Sequence, residues 1–191
     1  MRRFGPLLWF AFLSAQVAAA QASDPQGLVL DATRSRATFE VRVLYLIGLH
    51  GEFGSVHGTL NLDRESDAAA VEAMIDTNAV HMRSRRYENW TKSAEFFDAQ
   101  HFPQIHFVSD PFSVASLTQG GPVKGTLTIR GVSKPATFEI DSAECKTPLA
   151  GDCAVEAAGT IRRSDFGMRS RRGALSDKVD LHLSIFVRPQ P

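Results

Sequence analysis

Apolar and polar positions alternate with a period of two along most of this chain. Ala37, Phe39, Val41, Val43 and Tyr45 alternate with Thr38, Glu40, Arg42 and Leu44, the pattern of a strand buried on one face. A short strand at Leu28-Val29-Leu30 precedes it. The pattern thickens into Leu44-Tyr45-Leu46-Ile47, apolar on both faces, and Gly48 and Gly51 are expected to break it. Val56, Gly58, Leu60 and Leu62 then share one face, with His57, Thr59 and Asn61 on the other. Gly54 and Gly58 predict a bend, a bulge or a close backbone approach. Beyond the polar turn at 63–67 the chain returns as a strand from Val71 to Val80, with Val71, Ala73 and Ile75 opposite Glu72, Met74 and Asp76.

The period changes once. Residues 81–97 read as a helix that runs into Phe96 and Phe97 and stops near Asp98–Gln100. Pro103 then forces an extended backbone on itself and its predecessor. From Gln104 alternation resumes, with Ile105 and Phe107 on one face and His106 and Val108 on the other. Three further faces follow: Val123, Gly125, Leu127 and Ile129; Ala136, Phe138 and Ile140; Val155, Ala157, Gly159 and Ile161. The last strand carries Val179, Leu181, Leu183, Ile185 and Val187. The pattern therefore predicts a mainly β protein, an antiparallel barrel of about eight strands with one short helical insertion acting as a plug or lid. One apolar face per strand suits antiparallel pairing, and closure removes exposed sheet edges. Small residues on the inward faces (Gly58, Gly125, Ala157, Gly159) are expected to leave interior space. A barrel of this size is either filled by side chains or holds one small ligand, and alternation alone fits both.

The first 22 residues stand apart. Arg2 and Arg3 precede the apolar run Leu7–Leu13, and Ala18-Ala19-Ala20-Gln21-Ala22 supplies small residues for cleavage. That is the make-up of a secretory signal peptide, and the apolar run is well short of the ~20 residues that span a bilayer. Residues 1–22 are read as a cleaved signal and 23–191 as one exported domain. Removal of Arg2 and Arg3 takes the neutral chain to about −2, so charge gives no case for a nucleic-acid partner. Cys145 and Cys153, the only cysteines, would meet an oxidising compartment. The turn-rich segment between them points to a disulfide closing a hairpin end. Two free thiols or half of a metal site are the alternatives, but the spacing is wrong for CxxC and no further ligands are evident.

Candidate chemistry is sparse. The six histidines form neither HxxxH nor HExxH, there is no GxSxG, and Glu88, Asp98 and Asp165 have no paired acid in the sequence. His57 and His182 would meet only if their strands were neighbours. No metal, no catalytic residue and no cofactor is expected. Two basic runs stand out, Arg83-x-Arg85-Arg86 with Lys92, and Arg162-Arg163 with Arg169, Arg171 and Arg172. They are either a solvated face or one rim of the barrel that favours an acidic head group or an anionic membrane surface.

Four stretches in register, GEFGSVHGTLNLD (51–63), SAEFFDAQHFPQIHF (93–107), VKGTLTIRGVSKPATFEI (123–140) and RSDFGM (163–168), resemble the YceI family of bacterial periplasmic proteins. The likeness covers roughly residues 28–188. It implies a lipocalin-like barrel whose elongated apolar lumen takes a polyisoprenoid or similar long-chain lipid, with no established catalytic residues. Where the family commonly has Arg-Asp-x-His-Leu before SAEFF, this chain has Tyr87-Glu88-Asn89-Trp90-Thr91, which keeps only the acid. The Cys145/Cys153 pair is not a general family feature either. Inward apolar residues are core in any barrel. In a binding barrel the lumen candidates are Phe39, Val41, Val43, Trp90, Phe96, Phe107, Leu127, Ile129, Phe138, Leu183 and Ile185, with Arg85, Arg86, Arg169 and Arg171 at the head-group rim. The expected function is a non-enzymatic carrier of an isoprenoid lipid or quinone, with transient membrane contact and a homodimer left open. The alternatives are a secreted enzyme acting on a hydrophobic substrate, which needs a polar lumen residue with a perturbed pKa, and a packed-barrel interaction protein.

Overall fold

The computed structural model describes residues 26–145 and 147–190, so the segment read as a signal lies outside the described residues. Thirteen strands form one antiparallel sheet: β1 (Gln26–Leu30), β2 (Arg36–Val43), β3 (Ile47–Phe53), β4 (Val56–Asp63), β5 (Ala68–Asp76), β6 (Val80–Met82), β7 (Gln104–Ser109), β8 (Phe112–Ser113), β9 (Gly121–Ile129), β10 (Val132–Ile140), β11 (Val155–Arg162), β12 (Leu175–Ile185) and β13 (Val187–Pro189). Among the described residues two helices interrupt them, α1 (Arg85–Lys92) and the short α2 (Ser116–Gln119).

The mainly β antiparallel class matches the sequence reading, but thirteen segments replace the eight expected. The reason is bending. β1 and β2 are halves of one path broken at 31–35, β3 and β4 at 54–55, β5 and β6 at a 3-10 turn over Thr77–Ala79, and β12 and β13 at Phe186. β8 lies off the main path, paired to the end of β5. The same bends let the sheet curl round on itself. β2 pairs with β12 while β1 pairs with β13, the direct continuation of β12, and β1 also pairs with β4. The ladder β4-β5-β7-β9-β10-β11-β12 supplies the rest of the wall. A curled wall of this kind buries one face of every strand. Leu60, Leu62, Val80, Leu127 and Val187 are each nearly inaccessible to solvent.

Two expectations are corrected. Gly48 and Gly51 do not break the chain; both lie within β3, where Leu49, Gly51 and Phe53 share the inward face. Gly51 sits opposite Phe39, whose ring occupies the space where a Cβ would be. Gly159 sits opposite Phe138 in the same way, with a Cβ falling 2.6 Å from the Phe138 ring. At Gly125 a Cβ would meet the Val108 carbonyl and the Ser109 backbone of β7 first, with the Phe107 ring 2.8 Å away. The inward glycines thus make room for cross-strand phenylalanines rather than for empty space. Gly58 is different. It has φ +151°, and a side chain there would collide with the Glu72 carbonyl of β5, while the β4–β5 register runs through it unbroken, so of the bend, bulge or close approach expected it is the close backbone approach.

The helix is also shorter than expected. α1 ends at Lys92, not at Phe97. The Ser93 hydroxyl donates to the Trp90 carbonyl at 2.6 Å, and the Phe97 amide turns back to the Thr91 carbonyl at 3.0 Å. Phe96 and Phe97 therefore lie on a tight turn, which ends in Asp98 at φ +50°.

Cys145 and Cys153 are disulfide-bonded. The loop they close holds a 3-10 turn, Pro148–Ala150, that packs on β13, and Arg34 Nη1 donates to the Gly151 carbonyl at 3.0 Å. Replacing both cysteines with alanine is expected to lower unfolding free energy by about 2 kcal/mol, because so short a loop restricts the unfolded chain only modestly. A urea midpoint compared with and without reductant measures this. A loss above about 4 kcal/mol would contradict the entropic account.

Candidate functional site

The curled sheet surrounds a cavity of about 200 Å³. Roughly 10–15 Å³ of such space holds one water molecule, so it is far larger than a packing defect. Its walls come from nearly every strand. Phe39 and Val41 face it from β2, and Leu183 and Ile185 from β12. Phe107, Leu127, Ile129 and Phe138 face it from β7, β9 and β10. Trp90 and Phe96 reach it from α1 and the turn beyond. Of the sequence candidates only Val43 is not part of the lining. It is half-buried at the end of β2, paired with Ile47 and Leu175, where the strand is about to leave the barrel.

Sequence reasoning missed several lining residues. Leu49 and Phe53 were hidden by the assumption that Gly51 ends a strand, although their spacing on one face was visible. Met82, Phe97, Met168 and Leu175 also line the cavity. Phe97 matters most, since its ring packs edge-on against Phe53 at 5.5 Å and Phe39 at 6.3 Å. Phe96 meets Trp90 edge-on at 4.7 Å. These contacts form an aromatic cover between α1 and the barrel wall, favoured by edge-to-face geometry. Glu88, the acid kept before SAEFF, accepts from the Met82 backbone N–H at 3.0 Å and so ties α1 to β6.

The polar residues of the lining are Thr38, Thr91 and Arg163. Arg163 belongs neither to a solvated basic face nor to the rim that its place in the Arg162-Arg163 run suggests, for it is only 2% exposed. Its Nε donates to the Ser176 carbonyl at 2.9 Å, Nη1 to Met168 and Ser170 at 2.6 and 2.8 Å, and Nη2 to Leu175 at 3.1 Å. One guanidinium thus gathers four carbonyls of the 168–176 segment that ordinary strand pairing leaves unmet. Burial lowers its pKa, while the charge of Asp177 opposes that shift. Asp177 itself is pushed up by burial, but bonds from the Ser164 hydroxyl and backbone N–H, with the Arg163 charge, hold it below the ordinary carboxylate value.

By fixing 168–176, Arg163 sets the rim. Arg171 lies over the Trp90 ring at 4.5 Å, with its Nε 3.6 Å from Glu95. The second basic run therefore reaches α1 through Arg171, while Arg85 and Arg86 lie on the exposed face of α1 and Arg169 is exposed on the 168–176 segment. His57 and His182 do not meet: they pair with Met74 on β5 and with Thr38 and Ala158 on β2 and β11. Among the described residues no three His, Cys, Asp or Glu side chains gather as a metal site. Nor is any helix among them long and apolar enough to cross a membrane.

Residues 28–187 match the model of the YceI-like domain. The chain is 31% identical over 188 residues to the protein YceI of Salmonella agona, covering 94% of this chain and 95% of that one. It is 32% identical over 161 residues to a UPF0312 protein of Yersinia enterocolitica, covering 82% and 83%. Among solved structures, Burkholderia cenocepacia BcnA superposes with a TM-score of 0.67 at 21% identity, covering 82% of this chain and 98% of that one. A polyisoprenoid binding domain from Saccharophagus degradans gives 0.63 at 13% identity, covering 86% and 99%.

Proposed function

Because the chain belongs to the YceI-like domain family, we propose that it is a periplasmic carrier that holds a long-chain isoprenoid lipid or quinone in its cavity without chemical turnover. The observation that carries this reading is the lining: a cavity walled by apolar side chains from β2 to β12, under an aromatic cover. Such a wall recognises its ligand by excluding water. At roughly 0.8 kcal/mol per buried CH₂, a few prenyl units give tight binding with no polar contact, before ordering costs. Phe96 and Phe97 sit on a turn rather than in a helix, so opening the cover would not require unwinding α1. The name of the Saccharophagus domain supports the ligand class by kinship of fold. Arg85, Arg86, Arg169 and Arg171 would favour an acidic head group at the rim. Arg163 is unsuited to act as acid or base, because its donors are engaged with carbonyls and arginine does not give up its proton in proteins.

The test is gentle purification from the periplasm, organic extraction and mass spectrometry. A stoichiometric prenyl lipid or quinone is expected. A blank extract that stays blank after incubation with prenyl lipids of several lengths would overturn the reading.

A further inference from the structure

The four most exposed large apolar residues of the described chain are consecutive. Leu44 is 59% exposed, Tyr45 67%, Leu46 87% and Ile47 65%, and together they form the tip of the β2–β3 hairpin. A single exposed leucine needs no explanation, but a contiguous apolar protrusion does. The turn is also costly in itself. The Leu46 amide closes it on the Val43 carbonyl at 3.1 Å, with Leu44 at φ +49° and Tyr45 at φ +61°. Two central residues with positive φ are the arrangement that favours Asn-Gly, because a Cβ is crowded in that conformation. Here the strained positions carry Leu and Tyr. Folding alone gains nothing from that choice, and a function at the tip accounts for it.

A basic segment adjoins the protrusion on one side. The Leu44 amide donates to the Ala174 carbonyl at 2.7 Å, which holds the arginine-bearing segment 169–174 against the hairpin. The nearby acids are engaged: Glu40 with Arg42 and His50, Asp180 with Lys178, and Glu95 with Arg171. Among the described residues no carboxylate lies within 4.0 Å of Arg169 or Arg172, and both are exposed. Tyr87, 42% exposed, adds an amphipathic ring on α1, a residue type suited to the membrane interface. The tip also stands directly above the cavity. In the ladder Val43 pairs with Ile47, and two residues deeper Val41 pairs with Leu49 and Val179, all three of which line the cavity.

We infer that the Leu44–Ile47 tip inserts into the surface of an anionic phospholipid bilayer, while Arg169 and Arg172 sit among the head groups, so that the cavity opens onto the membrane. This rests on the carrier reading for its purpose but not for its test. The full chain is floated with vesicles of phosphatidylcholine alone or with added phosphatidylglycerol, at low and raised salt, beside L46D and the pair Arg169→Glu, Arg172→Glu. Leu46 is 87% exposed, so L46D is expected to unfold at the wild-type urea midpoint. Expected results are binding to phosphatidylglycerol vesicles that falls with salt, and a tenfold or greater loss in either variant. Equal flotation of wild type and L46D overturns the inference, as does a concentration-dependent dimer that L46D dissociates, which would make the tip a self-association surface. Ligand content of the wild type and of L46D, read by extraction, separates the two proposals. A carrier that fails to dock keeps its lipid, whereas a docking protein that is no carrier floats but extracts blank.

Discussion

Replacing Arg163 with methionine is expected to lower unfolding free energy by about 3–5 kcal/mol. Methionine fills much of the volume of the arginine stem, so cavity formation is not the main cost. The loss comes from four carbonyls, those of Met168, Ser170, Leu175 and Ser176, that would keep their burial and lose their donor. Bonds from a charged donor are worth more than neutral ones, although the desolvation of a buried guanidinium offsets part of the sum. Arg163→Lys is expected to recover less than half, since a point charge cannot reach four acceptors at once. Urea unfolding measures both. A second readout tests position: Arg171 stacks on Trp90, so loss of the 168–176 segment is expected to change Trp90 emission in the native state. A wild-type midpoint for Arg163→Met would mean that water or a rearranged loop satisfies those carbonyls equally well.

Introducing phenylalanine at both Ala73 and Ala157 is expected to weaken prenyl-lipid binding by a hundredfold or more, about 2.7 kcal/mol. Both alanines line the cavity on β5 and β11, where they pair with Phe107 and with Ile140 and Leu183. Two added rings would take the space a ligand needs. Overpacking an already filled core costs about 1–3 kcal/mol, but rings entering open space avoid most of that strain. The urea midpoint is therefore expected to change little while extracted lipid disappears. Val108→Phe is the control, because Val108 is on β7 but 43% exposed on the outer face. Lipid retained by the double variant would place the ligand elsewhere; a collapse in stability would mean that the interior is already packed.

Much of this was legible in the sequence. Phe39 and Val41, Phe107, Leu127 and Ile129, and Leu183 and Ile185 all face the cavity as their alternation foretold. Misreadings fell where two signals competed. At Gly51 a residue that often ends strands sits mid-strand, because Phe39 on the neighbouring strand needs its missing side chain. At Phe96 and Phe97 a helical pattern was extended through residues that the barrel interior pulls into a turn. The disulfide was legible because only two cysteines exist and a short turn-rich segment joins them.

Arg163 shows the boundary between the two kinds of information. In the chain it is the second of two adjacent arginines in a basic stretch, indistinguishable from Arg162. In the structure Arg162 is exposed and Arg163 is buried beneath four carbonyls. The sequence by itself determined most of the strands and their inward faces, because side-chain alternation is a local property of the backbone and needs no knowledge of neighbours, and it determined the family through four motif stretches in register. Only the tertiary structure decided which glycines are filled by distant phenylalanines, where the cover closes, which arginine is structural and which apolar run stays in water. Those outcomes depend on contacts between residues far apart in sequence, and they arise only when the sheet curls round and brings β1 and β2 alongside β12 and β13.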